Sequence, residues 1–188
     1  MQYIARPLVR AGVHADTITY LSLFFAFLSL LSLVVYSSSF AFGCFVFLAG
    51  LFDGVDGAVA RESGTVSARG AFTDSVVDKV SELLILLGLL LGFQGTTLLG
   101  LPTEIWVFLS AMGWLLTSYA RARAEGLGAR DLDIGLAGRS ERLLILVLFS
   151  VFGYVLWGLA VVCLLSLATA GYRTYHYRRQ LAAPKHGE

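Results

Sequence analysis

The chain has 188 residues, 57% of them hydrophobic and 14% charged, with a formal net charge of +1 and a mean hydropathy of +0.76. That length suits one domain and that apolar content excludes an ordinary soluble protein, so the sequence reads as an all-α integral membrane protein. The near-neutral sum carries little information, because in such a chain the placement of basic residues matters more than their total; no nucleic-acid partner is expected.

Residues 1–16 set Ile4, Leu8 and Val9 against Arg6 and Arg10, the pattern of an amphipathic helix lying at the membrane interface. No small-residue cleavage site follows a short apolar core, so an interfacial helix is expected there rather than a signal peptide. Residues 17–36 carry no charge and would make a helix of about 30 Å, the thickness of the hydrocarbon core. Asp16 is expected to cap it.

After Ser37, Ser38 and Ser39, a second span over residues 40–60 ends with Asp53 and Asp56. Residues 62–69 read as a short polar loop broken at Gly64, and a third span leaves from Gly70 with Asp74 and Asp78 in its first turns. Span four covers residues 103–119 and runs into Arg121 and Arg123; residues 126–138 form the longest polar loop. Two more spans fit between Arg142 and Tyr172, with a break at Gly153 and Tyr154. The expectation is one domain over 1–188: the interfacial helix, six transmembrane helices within 17–172, and a polar tail over 173–188.

Charge supports the count of six. Arg6, Arg10, Arg61, Arg69, Arg121, Arg123, Arg130, Arg139, Arg142, Arg173, Arg178, Arg179 and Lys185 all fall on one side of such a bundle, and Lys79 lies just inside it. By the positive-inside rule that face and both termini are cytoplasmic, in a multi-pass protein of the cell membrane. Trp106, Trp114 and Trp157, with Tyr3, Tyr154 and Tyr172, read as interfacial anchors. Cys44 and Cys163 read as small packing residues, and His14, His176 and His186 as bystanders.

Four aspartates concentrated at one membrane face need a compensating cation. Asp53 and Asp56 are three apart and Asp74 and Asp78 four apart, so each pair shares a helix face. Oxygen ligands without a nearby Cys or His favour Mg²⁺, Mn²⁺ or Ca²⁺ over zinc. Gly54, Gly57 and Gly70 thin the helices beside the carboxylates, and Arg61 and Arg69 suit bidentate phosphate recognition. Glu82, one turn past Asp78, reads as a partner of the site or of Lys79, and Lys79 itself as a partner of Asp78 or of a phosphate. Together these describe a site for a pyrophosphate substrate; a proton or ion transporter is the competing reading, and it expects carboxylates spread through the membrane depth.

At these residues the sequence resembles the CDP-alcohol phosphatidyltransferase family, whose signature is D-x-x-D-G-x-x-A-R, eight residues, then G-x-x-x-D-x-x-x-D. Asp53, Asp56, Gly57, Ala60, Arg61, Gly70, Asp74 and Asp78 fill every fixed place, a match expected by chance at a given start on the order of 10⁻⁹ of the time. The resemblance implies two Mg²⁺ or Mn²⁺ ions held by Asp53, Asp56, Asp74 and in part Asp78, with Asp78 as the base that deprotonates an alcohol. It implies a CDP-linked lipid donor, CMP as leaving group, a nucleotide site at Gly57, Ala60, Arg61 and Gly70, and a homodimer among membrane lipids. Family members often carry Pro-Asn before the first span; the corresponding stretch here is Ala15, Asp16, Thr17, Ile18 and Thr19. The stretch from Ser118 to Gly128 and that from Gly138 to Leu146 resemble the branch that makes phosphatidylinositol phosphate or archaetidylinositol phosphate. That implies inositol phosphate as acceptor, with glycerol phosphate, serine and inositol as alternatives, and a phosphate pocket formed by Arg121, Arg139 and Arg142, Arg123 pointing elsewhere.

Overall fold

The computed structural model describes residues 2–132, 134–135 and 137–182, and among these seven helices and one minimal hairpin. They are α1 (Gln2–Arg10), α2 (Ala15–Val34), α3 (Ser39–Ser63), α4 (Ala68–Gly92), α5 (Thr103–Gly126), α6 (Arg139–Val151) and α7 (Val155–Ala182), with β1 (Thr97–Leu98) paired to β2 (Leu101–Pro102) between α4 and α5. By length and composition α2, α3 and α7 suffice to cross a membrane.

Local chemistry sets the ends. Ser38 caps α3 by accepting from the Ala41 N–H at 3.2 Å, and Ser67 caps α4 by accepting from the Gly70 N–H at 3.1 Å. Gly64, at φ 69°, closes α3 in the left-handed region that glycine enters without strain. Both helices therefore run further than the sequence led us to expect, and residues 64–67 alone connect them rather than 62–69. Asp16 does not cap α2: the helix begins at Ala15, two residues before the expected Thr17, with His14 in the cap position, and Asp16 sits in the first turn. There its charge still favours the positive end of the helix dipole. At the other end α7 continues past Tyr172 to Ala182. Lys185 and His186 lie outside the described residues.

Six helices close into a ring. α2 touches α3 and α4, α3 packs on α6, α6 on α7, α7 on α5, and α5 returns to α4. α3 and α4 touch each other little, although only four residues join them. Small residues make the close contacts: a Cβ on Gly88 would come within 2.9 Å of the Leu30 Cα, so α4 and α2 meet nearly backbone to backbone. The ring is apolar outside, where Phe24, Phe47, Leu83, Phe108 and Leu164 are exposed. Inside, the buried hydroxyls of Ser22, Ser29, Ser150 and Ser166 donate to carbonyls of their own helices. Apolar side chains on the outside as well as in the core suit a lipid surround, in which small polar side chains also pack between helices.

Two peripheral parts complete the frame. α1 lies on α3, with Ala5, Leu8 and Val9 against Val55, Ala58 and Val59. The loop before α6 is strapped to α7: Tyr177 donates to the Leu132 carbonyl at 2.9 Å, Arg173 to that of Ile134 at 2.7 Å, and Thr169 accepts from the Ala137 N–H at 3.3 Å. These bonds satisfy backbone groups of an irregular segment that could not otherwise sit among apolar helices. Trp106 and Trp114 correct the interfacial reading: both are buried, whereas Trp157, Tyr3, Tyr154 and Tyr172 are exposed.

Candidate active site

Asp53 lies ten residues before the end of α3 and Asp78 ten residues after the start of α4. The short turn thus brings the two to the same level, about 15 Å from the helix ends. Asp56 and Asp74 stand one helical turn nearer the connection. Asp53, Asp56 and Asp74 each offer a carboxylate oxygen within 4.8 Å of the other two. Asp78 stands outside that trio.

The carboxylates differ in their partners. Asp56, only 4% exposed, accepts from the Thr19 hydroxyl at 2.7 Å and from the Gly57 N–H. Arg139, at the first turn of α6, reaches across the ring to Asp53 and to Asp78, the latter at 3.0 Å. Asp53 Oδ1 and Asp74 Oδ1 are buried and accept no hydrogen bond. A divalent cation fits this donor set: three hard oxygens converge, and two of the aspartates hold a buried lone pair that no protein donor meets.

Two cavities flank the carboxylates. The first, of about 450 Å³, brings Gly57, Ala60, Arg61 and Gly70 together with Asp56 and Asp74. A Cβ on Gly57 would stand 3.3 Å from the Arg61 guanidinium, so the missing side chain there leaves room for Arg61 to fold along α3. The second cavity, of about 650 Å³, lies on the Asp78 side and is lined by Arg121, Arg139 and Arg142. Arg123 is exposed and lines neither.

Three residues of the site escaped the sequence reading. Thr19 packs behind Asp56 and also lines the first cavity with His14 and Asp16. Arg173, assigned to the tail, is 8% exposed, lines the second cavity and donates to the Thr117 carbonyl at 3.1 Å. Trp114 lies under Arg142, whose guanidinium carbon is 5.0 Å from the ring centroid, a cation–π contact that shields a buried charge. Lys79, which the sequence did bring to the site, donates to Glu82 at 2.6 Å, one of the two partnerships expected of Glu82, rather than pairing with Asp78.

The sequence pattern of the family described as CDP-alcohol phosphatidyltransferase matches residues 12–172. The chain belongs to that family. The transferase is 32% identical over 181 residues to the archaetidylinositol phosphate synthase of Pyrococcus horikoshii, covering 96% of this chain and 92% of that one. It is 35% identical over 159 residues to the phosphatidylinositol phosphate synthase of Mycobacterium tuberculosis, covering 82% and 71%. The crystal structure of the Mycobacterium tuberculosis phosphatidylinositol phosphate synthase in complex with manganese and citrate superposes with a TM-score of 0.82 at 28% identity, covering all of the transferase, 100%, and 93% of the crystallised chain. A structure of the same synthase with CDP-DAG bound gives 0.80 at 27% identity.

Proposed function

We propose that this transferase moves a phosphatidyl-type group, diacyl- or dialkylglycerol phosphate, from a CDP-linked lipid to inositol phosphate, releasing CMP in phospholipid biosynthesis. The observation that carries the reading is the pair of cavities meeting at the aspartates, one lined by the signature residues and the other by arginines. Names of the relatives support the acceptor, and the neighbour with CDP-DAG bound supports the donor.

Each group then has a task. Arg61, with Gly57, Ala60 and Gly70 beside it, receives the cytidine diphosphate part of the donor. Asp53, Asp56 and Asp74, with Asp78 in part, would hold Mg²⁺ or Mn²⁺, which offsets charge on the phosphates. Arg121, Arg139 and Arg142, joined by Arg173, receive the acceptor phosphate and orient its hydroxyl toward the carboxylates. Asp78, the one signature aspartate on the second cavity, takes the hydroxyl proton. The freed oxygen bonds to the β-phosphorus as the bond from that phosphorus to the oxygen bridging to CMP breaks.

The setting follows from the same reading. Residues 1–188 form one domain whose six ring helices cross the cell membrane, with α1 on the cytoplasmic surface and the active site opening to the cytoplasm. Length in α2, α3 and α7, and the one-sided basic residues, support it. The unit is a homodimer, as the family resemblance implies. The deciding experiment is CMP release from a CDP-linked lipid with Mn²⁺ and a panel of inositol phosphate, glycerol phosphate, serine and inositol. Inositol phosphate should be turned over best; a faster rate with another alcohol moves the acceptor, and no CMP with any of them sinks the reading.

A further inference from the structure

Glu82 sits on α4 one turn beyond Asp78, with its side chain 3% exposed and no part in the wall of either cavity. Three cations of the acceptor cavity nonetheless converge on it. Lys79 Nζ donates to Oε2 at 2.6 Å, while Oε1 faces Arg139 Nε at 3.4 Å and Arg142 Nη2 at 3.8 Å. Oε1 and Arg139 Nε are both buried and neither makes a hydrogen bond. Arg142 has further supports, in the Gly138 carbonyl that accepts from its Nε at 3.1 Å and in the Trp114 ring. Arg139 has competing ones, Asp53 and Asp78.

We propose that Glu82 is a positioning residue for the acceptor: it never touches substrate, and it holds Arg139, Arg142 and Lys79 at the wall of the second cavity, ready for a phosphate. A buried guanidinium must face anions, and in a low-dielectric setting each of its edges turns to one: Arg139 Nη1 pairs with Asp53 and Asp78, and its Nε edge faces Glu82. With Glu82 charged, Arg139 is shared between the carboxylates of the reaction centre and the acceptor cavity. With a neutral side chain at 82, nothing holds the Nε edge, and Arg139 turns wholly to the Asp53 and Asp78 carboxylates that its Nη1 already meets. The cavity then loses a cation, and the loss outweighs the gain in net positive charge from removing the glutamate, because a guanidinium aimed away from the cavity makes no bond to the phosphate.

The proposal rests on the reading that the second cavity takes the phosphorylated acceptor, and its test separates the two. Binding of inositol phosphate and of CDP to the full-length protein with Mn²⁺ is measured by calorimetry for wild type, Glu82→Gln, Glu82→Asp and Arg121→Ala, with melting temperatures alongside. Glu82→Gln should weaken inositol phosphate by at least about tenfold while CDP stays within about threefold, and Glu82→Asp, which keeps the charge on a shorter arm, should recover part of the loss. Arg121→Ala removes a cavity arginine directly and should weaken inositol phosphate as well. If Glu82→Gln binds inositol phosphate as wild type does or more tightly, or loses CDP to the same extent, Glu82 is not a positioning residue for the acceptor. Should Glu82→Gln fail to fold, Glu82→Asp decides alone: weaker inositol phosphate with unchanged CDP supports the proposal, and unchanged binding of both overturns it. Wild type that binds no inositol phosphate, or an Arg121→Ala protein that binds it normally, would instead undo the assignment of the cavity.

Discussion

The carboxylate of Asp56 is held from behind by the hydroxyl of Thr19, so Thr19 fixes which oxygen faces Asp53 and Asp74. Thr19→Val keeps the shape and leaves a buried oxygen without its donor; Mn²⁺ affinity, followed by electron paramagnetic resonance, should fall by about tenfold or more, and Thr19→Ser should retain it. At Asp78 the expected outcome is different. Asp78→Asn keeps the fold and CDP-lipid binding but lowers turnover by roughly 10²–10⁴, the usual worth of a general base; turnover near wild type would show that Asp78 is not the base. The contrast between these two residues shows what was legible in the chain. Asp78 belongs to a spaced signature that can be read along one dimension. Thr19 acts across 37 positions of sequence in the very stretch that departs from the family's Pro-Asn, and a lone threonine in an apolar run carries no signal of its partner. Arg173 was hidden for a related reason: a basic residue just past an apolar span fits the positive-inside pattern, which says nothing of a helix that continues and turns the side chain inward.

Among the elements, α4 depends most on how closely it approaches α2. Gly88→Val would drive its Cβ toward the Leu30 backbone, and the two helices would part at a cost of about 1–3 kcal/mol. A drop in melting temperature should therefore come with weakened activity, since α4 carries Asp74 and Asp78. Gly171→Ala is the matched control: the added methyl meets nothing within 4 Å, so stability should hold or rise slightly. Hydropathy located the helices well, including the break at Gly153 and Tyr154, because apolar runs of spanning length leave few alternatives. It misjudged ends wherever a cap governs, as at Ser67, and it mistook Trp114 for an anchor because an aromatic beside a membrane boundary looks the same whether it faces lipid or Arg142.

For the whole molecule, the ring order was not visible in the sequence. Nothing in the chain says that α3 and α4, joined by four residues, are wedged apart and bridged instead by Arg139 from α6. The proposed orientation, by contrast, rests on the arginines, and it is testable. In a protein whose Cys44 and Cys163 have been replaced by Ala, a membrane-impermeant maleimide applied to intact cells should label Gln94→Cys, beside the hairpin, and not Thr65→Cys, in the turn between α3 and α4. Labelling of both would break the proposed topology.

The shortness of α6 bears on how the two reactants meet. With 13 residues it spans only about 20 Å, yet it begins beside Asp53, which is itself about 15 Å along α3 from the turn. On the proposed orientation the helix starts below the headgroups, and the loop strapped to α7 dips in after it. On that placement the second cavity, which Gly138 at the end of the loop helps to line, would give a water-borne reactant a way to the arginines, while the exposed apolar side chains of the ring would meet acyl chains. The charged alcohol and the greasy donor can each remain in its own solvent until the bond between them forms.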